Sequence, residues 1–409
     1  MTLTEAAYWS KKAVVIFAVF IVVIFVGWQV INLISPKPKI PEKYLVPNEL
    51  CKEGPLPALQ IYSINVPVNF MNLEIETATG RYPDLPKIVN VYKIEYRGGS
   101  LAARDMAISI AKSWGFSEET IKRKSANEYL FENIENGKTI IIENSNQHID
   151  LTTNIGSVPT NTDVPDNTVL IEAAKRALSN ESLFPKTIDT NLTRVTYLVK
   201  GPTTFNTTAS RITAHAGRID FFKSKELIAV EEQYIDSKEL GAFLREKLPD
   251  SPKRRIKIEE KDVEVHSYSV PLVPDSPYSS NIYITLGNNK INPPKYDSVY
   301  ELHYINWPVA EEACGTYKLM GEDQAIQKIK EGKGYLVHLH LKGTNPLDPL
   351  PAGVEVNKLK VYEITVAYLD TAVLQEYIQP VYVVRGEAET TFGTGEFIIY
   401  VPAIEQTNE

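Results

Sequence analysis

The sequence is poor in the residues that most often do chemistry. Two cysteines and six histidines are spread over 409 residues, and the patterns G-x-S-x-G, H-E-x-x-H and C-x-x-C are absent. That absence removes the common serine-hydrolase, zinc-protease and thiol-redox signatures. Basic residues are also short: 43 Lys and Arg face 51 Asp and Glu, for a net charge of −8. No stripe of Lys and Arg is present to neutralise phosphates, which argues against nucleic acid as a partner. With two cysteines at most one disulfide can form. Cys51 and Cys314 either pair outside the cytoplasm or remain two separate thiols.

Charge is wholly missing from one segment. Ala13–Ile34 holds 22 residues without Asp, Glu, Lys or Arg. As a helix rising ~1.5 Å per residue it reaches roughly 33 Å, enough to cross a ~30 Å hydrocarbon core. Trp9 and Trp28 lie near its ends, where indole rings favour the interface. No A-x-A cleavage pattern follows the run, so the segment reads as a retained anchor rather than a removed signal. Glu49, just before Cys51, stands where a bacterial lipobox has a small residue, which disfavours a lipid anchor. Lys11 and Lys12 precede the span while Lys37, Lys39 and Lys43 follow it, so local charge does not fix sidedness. A short stub before a long hydrophilic region favours export of the C-terminal part.

The expected organisation is a cytoplasmic stub (1–12), a transmembrane helix (13–34), a proline-rich spacer (35–58), two α+β modules (59–156 and 157–261) and a strand-rich C-terminal module (262–409). In the first module Ala103, Met106, Ala107, Ile110, Ala111 and Trp114 are spaced as one helix face, stopped by Gly115. NEYLFENI and KTIIIEN flank Asn136-Gly137, a dipeptide suited to a two-residue type I′ hairpin turn, and HIDLT makes a further strand. The order recurs in the second module. Asp166 or Thr168 caps a helix that turns Leu170, Ala173, Ala174, Ala177 and Leu178 inward. Strands are expected near Arg194–Lys200, Ser210–His215 and Arg218–Phe222, with a short helix in the charged stretch 236–262. The last module alternates β-branched and aromatic residues in six stretches, and one helix, GEDQAIQKIKEG, puts Ala325, Ile326 and Ile329 inside. Pro380 within a strand points to an edge or a bulge. The fold class is therefore α+β with antiparallel sheets and few helices.

Candidate functional residues are few, and each has a structural explanation beside the chemical one. Asn136-Gly-Lys-Thr139 ends like a phosphate loop, but Glu132 occupies the place of its first glycine, and a hairpin turn explains it better. His338 and His340 share a strand face and could reach one metal, with His303 supplying a third nitrogen if the sheet brings it near. The alternative is a polar strand face alternating with leucines. Cys314 with His303 suggests a thiol nucleophile, yet no orienting third residue is evident. Tyr296, Tyr300, Tyr304, Tyr335, Tyr362 and Tyr368 lie in strands, where sheet packing accounts for most and an exposed row would suit glycan or peptide. Three Asn-x-Ser/Thr triplets begin at Asn180, Asn191 and Asn206.

Three strings carry a resemblance: TATGRYPDLPKIVNVYKI with the helix ending SWGF, CGTYKLMGEDQAIQKIKEGKGYLVHL, and VYEITVAYLDTAVLQEYIQPVYVVRGE with FIIYVPAI. They resemble a group of uncharacterised membrane-anchored exported proteins of small-genome bacteria. The second and third also look like the C-terminal part of YycI/YycH proteins, anchored regulators of a sensor histidine kinase. The repeated helix-then-strands units are similar to PepSY-type modules. The architecture, a spacer followed by several small α+β modules with no convergent catalytic set, points to a non-enzymatic anchored protein that binds or regulates an envelope partner through the region outside the cytoplasm, with no cofactor. Two other classes stay open: an adhesive protein binding wall polymer through tyrosine-bearing sheets, and a metal-dependent envelope hydrolase using His303, His338 and His340.

Overall fold

The structure is a computed structural model that describes residues 51, 55–76, 88–95, 103–125, 128–143, 148–160, 163–230, 253–258, 261–287 and 298–404. The stub, the apolar run 13–34, most of the proline-rich stretch and Tyr296 lie outside the described residues. Among the described residues no helix is long and apolar enough to cross a membrane. The chain divides into two units, residues 1–41 with 255–264 and residues 42–254 with 265–409. The described part of the first is the end of one hairpin; the architecture below belongs to the second. It is β-rich, with three α-helices among the described residues and mainly antiparallel sheets.

One sheet has nine strands. In chain order they are β3 (Lys122–Arg123), β4 (Glu128–Asn133), β5 (Lys138–Glu143), β6 (His148–Thr153), β7 (Arg194–Lys200), β8 (Phe205–Thr207), β9 (Ala216–Asp220), β13 (Ile282–Gly287) and β14 (Val299–Tyr304). Their spatial order is β3-β4-β5-β6-β14-β13-β9-β7-β8. Phe131, Ile140, Leu151, Leu302, Ile284 and Ile219 sit opposite one another from strand to strand and make one apolar row. Helices α1 (Ala103–Ser113) and α2 (Asn167–Asn180) cover that row through Ala107, Ala111 and Trp114, and through Leu170, Ala174 and Leu178. Asp166 caps α2 by accepting from Val169 N at 3.0 Å. Gly115, with φ of +86°, ends α1, and Phe116 N reaches back to Ala111 O.

The second sheet has eight strands: β1 (Leu73–Ile75), β10 (Lys223–Val230), β11 (Lys253–Ile258), β12 (Lys261–Val273), β16 (Tyr335–Leu341), β17 (Val356–Leu369), β19 (Pro380–Thr390) and β20 (Gly393–Pro402). Its path is β10-β12-β17-β19-β20-β16, with β1 parallel to β17 and β11 beside β12. Both faces are covered at its centre. Tyr382, Val384, Phe397 and Ile399 face one apolar cluster, and Val381, Val383, Ile398 and Tyr400 face the other. Double-sided burial is why these strands read as unbroken apolar runs. Helix α3 (Glu322–Lys330) packs on the first face through Ala325, Ile326 and Ile329. A small sheet joins β15 (Gly315–Lys318), β2 (Ile88–Lys93) and β18 (Tyr377–Ile378). The extended segment before β1 lies along β16: Ser63 Oγ and Ile64 N both donate to Leu336 O. That contact covers part of an otherwise open edge strand.

Several expectations are corrected. Met106 is exposed and Ile108 is buried in its place, because the inward stripe of α1 follows Ala103, Ala107, Ala111 and Trp114. The β4–β5 turn holds four residues rather than two: Asn133 pairs with Lys138, and only Gly137 takes positive φ. Ser210–His215 contains a 3-10 turn, Arg211–Thr213, and the strand starts at Ala216. Within the expected connector, Lys253–Ile258 is strand; 231–252 lie outside the described residues. Pro380 opens a central strand, where its missing N–H costs nothing, so neither edge nor bulge is needed. Leu56 is already buried, so the packed region begins inside the expected spacer. A boundary at residue 262 does not divide the sheets, since β13 and β14 complete the nine-stranded one.

The chain passes between the sheets at 220–223, at 280–282 and at 304–307, and these crossings share one polar knot. Lys223 Nζ lies 2.8 Å from Asp370 Oδ2, with side chains 4% and 3% exposed. Asn281 Nδ2 donates to Asp370 O at 2.6 Å, Trp307 Nε1 to Thr371 O at 2.8 Å, and Ser280 N to Asp220 Oδ1 at 2.9 Å. Cys51 and Cys314 form a disulfide, with Cα atoms 4.8 Å apart. It closes a loop of 263 residues. The chain-entropy argument gives such a loop roughly 5 kcal/mol, by restricting the unfolded state.

Lys223→Met leaves a buried carboxylate without its cation. Its expected cost is about 3–5 kcal/mol in chemical denaturation, with much of that recovered when Asp370→Leu is added. Gly386 faces β17 so closely that a Cβ would sit 1.8 Å from Lys360 O. Gly386→Ala is expected to lose on the order of 2 kcal/mol by the same measurement, since backbone must move to admit the methyl group.

Candidate functional site

The face of the nine-stranded sheet turned away from α1 and α2 is largely polar apart from an apolar cluster at Leu198, Ala216 and Tyr300, and its polar residues fall into register rows. One row runs Glu132, Thr139, Thr152, Glu301, Thr285, Arg218, and the next runs Asp150, His303, Tyr283, Asp220, Arg194. Strand alternation dictates this. Ile149 and Leu151 go to the core, so His148, Asp150 and Thr152 go to the other side. Leu302 and Tyr304 do the same for Glu301 and His303.

Asp150 lies between two imidazoles. Its Oδ1 is 2.5 Å from His303 Nδ1, and its Oδ2 is 2.8 Å from His148 Nε2. The ligand atoms of all three residues lie within 4.8 Å of one another, at half-buried positions. This is the one group of three or more such ligands among the described residues. The contact to His148 is close but lacks hydrogen-bond alignment, although its Nε2 is closed to solvent. Burial pushes the Asp150 carboxyl up, but the close contacts and charge of His148 and His303 outweigh it and hold it well below the usual range. Burial also pushes His148 down, and Asp150, with Glu143 and Glu128, more than reverses that.

The ring of His303 stacks on Tyr283 with centroids 5.1 Å apart, and the edge of His148 meets it at 5.6 Å. On Tyr283 rests the Arg218 guanidinium, 3.6 Å from the centroid, while its nitrogens grip both oxygens of Asp220 at 2.8 and 3.0 Å. Burial raises the Tyr283 hydroxyl to about 12, against the pull of Arg218. The cluster is thus a stiff polar ladder that carries anionic charge at Asp150 and spends its arginine on Asp220.

His338 and His340 do share a face, as their spacing predicts. His338 Nε2 and His340 Nδ1 are 3.1 Å apart, so one imidazole donates to the other. Both are buried against Tyr278, whose ring lies 4.4 Å from that of His338. A bulge at Val337 lets Leu336 and Leu339 both reach the opposite core. His338 borders a cavity of about 380 Å³ with Ser63, Asp275 and Asp348 on its wall. Burial, then the nearby His340 and Arg194, lowers His338 to about 4. His303 does not join this pair: it belongs to the other sheet, and among the described residues no third ligand meets His338 and His340.

Cys314 is bonded to Cys51 and offers no thiolate to His303. Tyr300, Tyr304 and Tyr368 are buried, and of the strand tyrosines only Tyr362 is well exposed among the described residues. His148 and Asp150 escaped sequence reasoning because the partner that gives them meaning is 153 residues away from Asp150. The alternation of HIDLT was the available signal.

No protein-family model matches the chain, and no curated protein matches it. Among solved structures it is similar to an uncharacterized protein from Eubacterium rectale ATCC 33656. The identity is 12%, with 83% of this chain and 90% of that chain covered and a TM-score of 0.37.

A histidine whose pKa is depressed by folding takes up its proton first in the unfolded chain. The native state therefore loses stability as pH falls below about 6.5, until His338 itself titrates near 4. His338→Gln is expected to remove roughly 2–3 kcal/mol of that acid loss. Denaturation midpoints at pH 7 and pH 4.5 for both proteins measure it.

Proposed function

We propose that the chain is a non-enzymatic, membrane-tethered protein whose folded part lies outside the cytoplasm and binds or regulates another component of the cell envelope. The tether is the uncharged run Ala13–Ile34. The observation that carries the reading is the Cys51–Cys314 bridge. Disulfides persist in oxidising compartments, and this one ties down the chain soon after the apolar run ends. The bridge supports export of the folded part, where the flanking lysines leave sidedness open. The binding surface in this reading is the half-open end of the polar face of the nine-stranded sheet, around His148, Asp150 and His303. The likeness of the C-terminal strings to YycI/YycH regulators, and of the helix-then-strand units to PepSY-type modules, supports a regulatory partner over a wall polymer.

Intact cells treated with a membrane-impermeant protease, and denatured extracts treated with a thiol-specific alkylating reagent, test the proposal together. The folded part is expected to be cleaved from outside, and both cysteines to alkylate only after reduction. Thiols that react fully without reductant, in a protein shielded from protease, would overturn it. In-cell cross-linking then reads the partner, and recovery of the chain only by itself counts against regulation.

A further inference from the structure

We infer that His148, Asp150 and His303 form a binding site for a divalent transition-metal cation of the zinc type. The inference stands independently of the tether and its partner.

The donor set comes first. Two imidazole nitrogens and one carboxylate suit zinc and its neighbours, whereas calcium and magnesium prefer shells made of oxygen. Three protein ligands leave a fourth position for water or for an incoming donor.

Geometry comes second. Ligand atoms that lie ~2.0–2.2 Å from a tetrahedral ion are separated by about 3.3–3.5 Å from one another. The three here already converge within 4.8 Å, so small side-chain rotations close the site. Their backbones are held by the sheet ladder, with Asp150 directly opposite His303 and His148 two residues along the same strand. Stacking on Tyr283 and the edge contact from His148 fix the His303 ring. Such pre-positioning is what separates a site from a chance cluster.

The third observation is His148 itself. Its Nε2 is closed to solvent and 2.8 Å from Asp150 Oδ2, so a second ligand nitrogen already lies beside the carboxylate. The far nitrogen of the same ring, Nδ1, lies 3.9 Å from Glu143 Oε2, on the residue directly across the strand pair. At that distance Glu143 places negative charge behind the ring, without a hydrogen bond to it, where metal sites often carry a supporting carboxylate. Arg218, stacked on Tyr283, is occupied by Asp220 and does not oppose a cation.

The test uses the full chain in detergent, stripped with a chelator and titrated with Zn²⁺ by calorimetry and with Co²⁺ by visible absorption. One equivalent of metal per chain is expected, with Co²⁺ bands of a four-coordinate nitrogen and oxygen site. Asp150→Asn and His303→Ala are each expected to weaken Zn²⁺ binding by at least about 100-fold, because loss of a support residue alone costs 10–100-fold. His338→Ala is expected to leave stoichiometry and affinity unchanged. Absence of Zn²⁺ heat in the wild type, an unaltered isotherm in His303→Ala, or loss of binding in His338→Ala would overturn the inference. Should the triad variants fail to fold, the wild-type Co²⁺ spectrum decides: a spectrum like that of free hexaaqua ion overturns it.

Discussion

The two large sheets are tied together at the segment after β17, where Asn281 and Trp307, flanking β13 and β14, reach Asp370 and Thr371 beside the buried ion pair of Asp370 with Lys223. Taking both charges out of water costs several kcal/mol per ion, and their attraction returns much of that only when geometry and further hydrogen bonds are good. Here Asn281 reaches the same aspartate and Trp307 reaches the next residue's carbonyl, so the segments that enter and leave β13 and β14 meet the other sheet in one small polar volume. Hydrophobic packing alone would tolerate sliding of one sheet past the other. A buried charge with a narrow set of acceptable partners does not, and its contribution is to uniqueness of the arrangement more than to net stability.

The polar ladder depends on that uniqueness. β13 and β14 arrive in the nine-stranded sheet only after the chain has built four strands of the other, β1 and β10 to β12, and they bring Tyr283 and His303 with them. Asn281 starts this excursion and Trp307 ends it, each tied to the segment after β17. A triad of His148, Asp150 and His303 is therefore assembled from one strand laid down early and one inserted late. Its geometry is set by register, and register is set by the apolar row on the other face.

Much of the local structure was legible in the sequence, and the failures have identifiable causes. Asp166 as a cap, Gly115 as a stop and the inner side of GEDQAIQKIKEG were readable because each depends on residues within one or two helical turns. Met106 misled because periodicity defines a stripe but not which edge of it meets a neighbour. Asn136-Gly137 pointed to the right hairpin with the wrong turn, since the pairing of Asn133 with Lys138 is decided by strand packing. The shared face of His338 and His340 followed from period two. Their burial and their separation from His303 did not, because both depend on which sheet each strand enters. Cys51 looked like linker for the same reason: its partner lies 263 residues away.

That bridge also sets the route of force through the molecule. A pull between any residue before Cys51 and any residue after Cys314 travels through the sulfur pair and bypasses everything enclosed. The helices α1 and α2, the His148–Asp150–His303 ladder and the strands β13 and β14 all fall inside the bypass, and feel no load while the bond is intact. Reduction would put the whole enclosed length in series with the pull, turning a rigid attachment into an extensible one.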